Sequence, residues 1–133
     1  GQQSDAQTEA QPQGGAQHEL MVGAVHGLAA PIGGMYGAPH GAVCAALLPH
    51  VIEANREALP ADHPAQARYR LIDEWVDVAT LVRQAGIPGL RAYGMTPEEF
   101  PDIALKGAQA SSMKANPAQL SLEVIVEIVA RSY

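Results

Sequence analysis

Two histidines are the residues of this chain best suited to bind a metal ion. His26 lies in an apolar stretch, and His40 follows 14 positions later, after a segment rich in proline and glycine. On one unbroken helix this spacing would separate the two residues by about 21 Å, too far to share an ion. A bend in the intervening segment would instead bring both imidazoles to one point. Two imidazoles suit Zn, Fe or Ni better than Mg or Ca, so an ion shared by the two histidines would be a transition metal.

The alternative for either histidine is a polar side chain that is satisfied at the end of a helix. The other three histidines are not predicted to be ligands: His18 and His63 are expected in solvent, and His50 is expected to be structural. Cys44 lies within an apolar helical stripe, which favours a small core residue over a nucleophile. No residue is assigned a catalytic or a nucleotide-binding role.

Helices are expected to position the two histidines, because no stretch alternates apolar and polar residues with the period of a strand. The apolar segment 18–30 predicts a first helix, and the prolines and glycines of segment 31–39 predict that it ends there. A second helix is predicted over residues 40–59, with a kink at Pro49.

The remainder of the chain carries three further helix patterns. The first has Asp62 as its expected cap, runs on through Val82 and ends at Gly86. Residues 96–99, Thr-Pro-Glu-Glu, form a helix start with a capping box, and Ser121 is the expected cap of the last helix. The fold class is therefore predicted to be all-α, a helical bundle.

Domain organisation follows from where large apolar residues occur. Residues 1–17 are rich in Gln and Gly and contain none, so this segment is expected to be disordered because it cannot offset its ordering entropy. Residues 18–133 are expected to form one helical domain.

Composition excludes several classes of partner. Eight Lys and Arg against 14 Asp and Glu give a net charge of −6, with no basic stripe for nucleic acid or an anionic membrane. The longest apolar run is far short of the roughly 20 residues that span a bilayer, and no signal peptide is recognised. The single cysteine cannot form an internal disulfide, which fits a cytoplasmic protein.

Residues 23–51, GAVHGLAAPIGGMYGAPHGAVCAALLPHV, resemble the metal-binding segment of iron-containing (group III) alcohol dehydrogenases. Weaker resemblance in segments 86–88, 93–96 and 111–117 extends it over roughly residues 19–133. It implies the helical C-terminal domain of that family, in which four protein ligands hold the metal. Two are histidines matching His26 and His40, and the others are an upstream Asp and His four residues apart. In the family, Fe or Zn polarises the alcohol or carbonyl oxygen while NAD(P) exchanges a hydride.

Three departures from the family pattern shape the functional expectation. The chain contains no nucleotide-binding α/β domain, and Asp5 is followed four residues later by Glu9 rather than by His. Ala30 stands where some members carry a further histidine that is assigned to proton relay. We therefore expect a fragment or stand-alone version of the metal-binding domain of an NAD(P)-dependent alcohol or aldehyde oxidoreductase. It is expected to be inactive alone, and NAD(P) is not expected to bind this chain alone.

The alternative is a non-catalytic helical oligomerisation or interaction module, with or without a residual histidine site. Loss of upstream helices would leave apolar faces that a second copy can cover, so a homo-oligomer is expected. The other expected partner is a chain that supplies a nucleotide-binding domain. A divalent ion shared across a two-fold axis would receive four imidazoles, a sufficient tetrahedral set.

Overall fold

Helices make up the regular structure of the computed structural model, which describes residues 23–133. No strand occurs in this range, so the prediction of an all-α bundle is confirmed. The segment 1–17 that was expected to be disordered, and the predicted helix start at residue 18, lie outside the described residues. The described helices are α1 (residues 23–36), α2 (His40–Ala58), α3 (Pro64–Trp75), α4 (Val78–Gln84), α5 (Phe100–Ala108), α6 (Ser111–Lys114) and α7 (Leu122–Ser132), with short 3-10 segments at Leu90–Tyr93 and Pro97–Glu99.

Helix α1 continues past the point where the sequence predicted its end. The helix runs through Pro31 and stops only after residue 36, so the predicted end of the helix at residue 30 is wrong. A proline inside a helix costs about 3 kcal/mol, since it lacks the amide hydrogen and its ring opposes a carbonyl. Leu28 and Ile32 on the same helix are fully buried. Burial of two such side chains contributes roughly 3–6 kcal/mol, enough to hold the helix together across Pro31.

Helix α2 begins at His40, as the sequence predicted, and ends at Ala58. Pro49 lies inside it without ending it. Val43, Leu47 and Val51 from the predicted apolar stripe are fully buried, which explains why the helix tolerates the proline.

The predicted helix between residues 62 and 86 is in fact two helices, which corrects the sequence-based prediction. His63, not Asp62, caps α3, because its Nδ1 accepts a hydrogen bond of 3.0 Å from the Ala65 amide. The chain then breaks at Asp77, which has extended backbone angles and whose carboxylate accepts a hydrogen bond from the Thr80 amide at 3.1 Å. A new N-cap therefore interrupts an apolar pattern that looks continuous in the sequence.

The remaining helix ends follow the sequence signals. Gly86 adopts a positive φ of 74°, and the Ile87 amide donates to the Val82 carbonyl, which is the glycine-dependent ending predicted for that position. The Thr96 and Glu99 capping box forms as predicted. Ser121 caps α7, its hydroxyl oxygen accepting from the Val124 amide at 3.2 Å.

One apolar core is enclosed by α1, α2, α5 and α7, and α7 packs against both α5 and α2. Within residues 23–133, no helix has the length and hydropathy that crossing a membrane requires. The large side chains that fill this core with no exposed surface include Leu28, Ile32, Val43, Leu47, Val51, Leu90, Ile103 and Val129.

Glycines allow α1 to approach its neighbours closely. A Cβ placed on Gly23 would lie 2.4 Å from the Ser112 carbonyl oxygen and 2.7 Å from the Asn116 amide nitrogen. On the opposite side of the contact, a Cβ on Gly107 would lie 2.5 Å from Leu28 Cδ2. A real Cβ does not approach backbone atoms this closely, so the position of α1 requires glycine at residue 23, whereas the Leu28 Cδ2 atom near Gly107 is the end of a flexible side chain that can shift.

Two glycines of α1 therefore give opposite predictions on substitution by alanine. We expect Gly23→Ala to lower the free energy of unfolding by about 2 kcal/mol, because the methyl group forces the backbone around Ser112 to shift. Gly34→Ala is the matched control, since a Cβ there meets nothing within 4 Å. It should raise stability by about 0.5–1 kcal/mol through helix propensity. Urea unfolding followed by circular dichroism measures both, and equal effects of the two substitutions would contradict the close approach.

Candidate metal centre

The two histidines singled out in the sequence lie side by side. His26 projects from α1 and His40 is the first residue of α2, and their ring centroids are 6.2 Å apart with the rings inclined at only 20°. The structure therefore brings the two imidazoles together despite the 14 positions between them. The chain changes direction between the two histidines, so they do not lie on one continuous helix.

The change of direction occupies residues 37–39, at the end of the segment 31–39 in which the sequence predicted a turn. Gly37 has a positive φ of 64°, and its amide donates a hydrogen bond of 2.9 Å to the Gly33 carbonyl at the end of α1. Pro39 is extended and precedes α2, and its carbonyl accepts from the Val43 amide at 3.1 Å. Glycine supplies the left-handed angle and proline the fixed φ that α2 needs to begin at His40.

Cys44 is a third donor that the sequence analysis did not assign. Its Sγ lies 3.4 Å from Nε2 of His40, and one ligand atom from each of His26, His40 and Cys44 falls within 4.8 Å of the others. The spacing of four residues from His40 to Cys44, which puts both on one face of α2, was the available signal. Burial raises the pKa of the Cys44 thiol above its ordinary value.

The donor set fits a borderline or soft divalent ion. Imidazole nitrogen and cysteine sulfur are the ligands that Zn and Fe accept and that Mg and Ca avoid. His26 and Cys44 are half-buried whereas His40 is exposed, so the cluster opens to solvent on one side. The residues present therefore supply part of a coordination sphere and leave room for further ligands.

A buried amide pair fastens the helices that carry these donors. Asn55 on α2 and Asn116 exchange two hydrogen bonds, of 2.7 and 3.1 Å, through their side-chain amides. Asn116 Oδ1 also accepts from the Ala24 amide of α1 at 3.1 Å, and its nitrogen donates to the Ala118 carbonyl at 2.8 Å. The Asn55 amide also donates to the Tyr69 hydroxyl of α3 at 3.0 Å. The network thus ties α1 to α2 two residues from His26.

The other described histidines stand apart from the cluster. His50 is half-buried on α2, and burial lowers its pKa, while the nearby Glu53 carboxylate acts in the opposite direction. His63 is occupied in capping α3. Ala30 is exposed one turn beyond His26, so this position offers no group for proton transfer.

A sizeable groove lies elsewhere on the described structure. It encloses about 400 Å³ between α2 and the α3–α4 corner, and its lining includes Ile52, Arg56, Asp73 and Ala79. None of the three clustered donors lines it. Arg56 and Asp73 form an ion pair across this groove.

Residues 6–133 match the Fe-containing alcohol dehydrogenase family, C-terminal. The chain is 33% identical over 120 residues to lactaldehyde reductase of Escherichia coli K12, an alignment covering 80% of this chain and 31% of that protein. It is 31% identical over 129 residues to alcohol dehydrogenase 4 of Saccharomyces cerevisiae S288c, covering 90% of this chain and 34% of the relative. It is 30% identical over 127 residues to 1,3-propanediol dehydrogenase of Citrobacter freundii, covering 84% and 32%. The chain thus spans about a third of the length of these relatives.

The amide network predicts a large cost for losing Asn116. We expect Asn116→Ala to lower the free energy of unfolding by about 3 kcal/mol, because it leaves the buried Asn55 amide and the Ala24 amide without this acceptor. Gln119→Ala removes an exposed amide three residues away and should change stability by less than about 0.5 kcal/mol. Chemical denaturation measures the free energy of unfolding of both variants. Similar midpoints would show that the network does not hold α1 against α2.

Proposed function

The chain belongs to the Fe-containing alcohol dehydrogenase family, and we propose that it is the metal-binding helical part of an NAD(P)-dependent alcohol or aldehyde oxidoreductase. The observation that carries the proposal is the pairing of His26 and His40, whose rings lie 6.2 Å apart across the bend between α1 and α2. The sequence resemblance matches these two residues to metal ligands of the family.

The proposed roles of the chain's residues are limited to the metal. His26 and His40 hold a divalent ion, Fe or Zn, at the solvent-facing end of α2. When bound, such an ion is a Lewis acid that polarises an alcohol or carbonyl oxygen, whereas the nicotinamide cofactor carries the hydride. The names of the relatives, a lactaldehyde reductase and a 1,3-propanediol dehydrogenase among them, support a small alcohol or aldehyde as substrate.

In this proposal the chain does not turn over substrate by itself. It contains no Asp followed four residues later by His, the pair that completes the family's ligand set, and no glycine-rich phosphate loop after a strand. The nucleotide is therefore bound by polypeptide beyond this chain. A cytoplasmic location belongs to the same proposal, since a lone cysteine beside two imidazoles suits a reducing compartment.

Metal binding by the two histidines is directly measurable. We expect chelator-treated protein to take up Zn²⁺. His26→Ala and His40→Ala should each weaken Zn²⁺ binding at least about tenfold. Loss of a residue that only supports a metal ligand already weakens metal binding by about tenfold or more, and loss of the ligand itself should weaken it at least as much. Calorimetric titration together with elemental analysis reads out both affinity and stoichiometry.

The matched control for the zinc titration is His63→Asn. It removes an imidazole but retains a side chain able to cap α3, so the fold and the metal content should be unchanged. Unaltered zinc binding in His26→Ala would defeat the proposed site. Oxidation of an alcohol by the chain alone with NAD(P) would refute the proposed incompleteness.

A second candidate, self-association, is favoured by one surface feature. Leu71 and Trp75 lie one turn apart on α3 and are 56% and 81% exposed. Large apolar side chains exposed together are typical of interaction surfaces. We propose that a second copy of the chain covers them when no nucleotide-binding domain is present.

Self-association predicts a concentration-dependent mass. Analytical ultracentrifugation at micromolar concentrations should show a dimer or larger species, and the double substitution Leu71→Ser with Trp75→Ser should shift it to monomer because the apolar contact is lost. Leu105→Ser on α5 is the control, since this residue is 48% exposed but lies on a different helix. A parent chain that stays monomeric throughout would exclude this interface.

A further inference from the structure

We propose that Cys44 is a third protein donor to the ion held by His26 and His40, giving the site two nitrogen ligands and one sulfur ligand. The proposal rests on the metal site of the proposed function and adds a residue to it. Its consequence is selectivity: sulfur favours Zn²⁺ and Co²⁺ over the oxygen-preferring Mg²⁺ and Ca²⁺.

The separation of the donor atoms supports this assignment. Zn–N bonds of about 2.0–2.1 Å and a Zn–S bond of about 2.3 Å at a tetrahedral angle place nitrogen and sulfur about 3.6 Å apart. Cys44 Sγ and His40 Nε2 are 3.4 Å apart. The His26 ligand atom lies within 4.8 Å of both, so a small side-chain rotation completes the triangle.

The position of Cys44 on α2 also favours a ligand over a core residue. It stands one turn after His40, the spacing at which two helical side chains can bind the same ion, as in paired histidine ligands. Its neighbours Val43 and Leu47 are fully buried, whereas Cys44 is only half-buried and its sulfur faces His40. Cys44 therefore packs against the edge of the apolar core while its sulfur contacts His40.

Three protein donors with an open side are the pattern of catalytic rather than structural zinc sites. His40 is exposed, so the described residues leave one side of the cluster open. Further ligands from the polypeptide beyond it, and a substrate oxygen, can reach the ion from that side.

The competing explanation is a simple contact in which the thiol donates a hydrogen bond to His40. Spectroscopy of the cobalt-substituted protein separates the two, because a thiolate bound to Co²⁺ gives an intense charge-transfer band in the near ultraviolet that nitrogen and oxygen ligands do not. Cys44 is the only cysteine in the 133 residues, so any such band must come from it.

The experiment titrates chelator-treated chain with Co²⁺ without oxygen, in the parent, Cys44→Ala, Cys44→Ser and His26→Ala. We expect the band in the parent, no band in either cysteine variant, and at least about tenfold weaker Co²⁺ binding in Cys44→Ala. In competition experiments, the preference for Co²⁺ over Mg²⁺ should be smaller in Cys44→Ala than in the parent. Far-ultraviolet circular dichroism establishes that the variants are folded, and Cys44→Ser keeps the side-chain size.

The outcomes test the cysteine ligand and the histidine metal site separately. Co²⁺ bound by the parent without the charge-transfer band, and equally tightly by Cys44→Ala, would overturn the cysteine ligand and leave the histidine pair intact. Failure of the parent to bind Co²⁺ would overturn the metal site itself and the cysteine assignment with it.

Discussion

A pair of buried amides, Asn55 and Asn116, fixes the arrangement on which the candidate site depends. Their side-chain amides donate hydrogen bonds to each other, and Asn116 Oδ1 also accepts a hydrogen bond from the Ala24 backbone amide of α1. A buried amide without a partner costs about 1–3 kcal/mol, so any displacement of α1 against α2 breaks several bonds at once. Gly23 lets the chain come close enough for these bonds to form. His26, two residues further along α1, is held by the same constraint.

Competition between local preference and packing explains the boundaries of α1. Proline and glycine at residues 31–34 favour a turn, but burial of Leu28 and Ile32 on one helix that faces the core stabilises the fold by more than this local preference costs. The turn is therefore deferred to residues 37–39, where Gly37 takes a left-handed angle. The prediction that a bend unites the two histidines survives this shift, because it required only that the chain turn somewhere before His40.

The sequence predicts local features of this protein better than distant ones. Caps at Thr96 and Ser121 and the glycine ending at Gly86 could be predicted because each depends on a few adjacent residues. The corner at Asp77 was missed because the apolar spacing runs through it. The hydrogen bond between Asn55 and Asn116 joins residues 61 positions apart, and no periodic pattern in a single sequence indicates such a contact. The histidine pair was singled out by residue type and spacing and assigned to the metal by the family resemblance, whereas Cys44 was assigned to the core because its stripe is apolar.

The fold and the candidate site depend on different interactions. Apolar side chains and the amide pair of Asn55 and Asn116 hold α1, α2, α5 and α7 together. In a zinc finger, by contrast, the metal supplies the folding free energy, and the chain without metal is unfolded. Here the donors stand on helices that pack through apolar side chains and buried amides, so metal affinity depends on how the helices place the donors. Substitutions in the network should therefore change metal affinity through geometry, while substitutions of the donors should leave the helices in place.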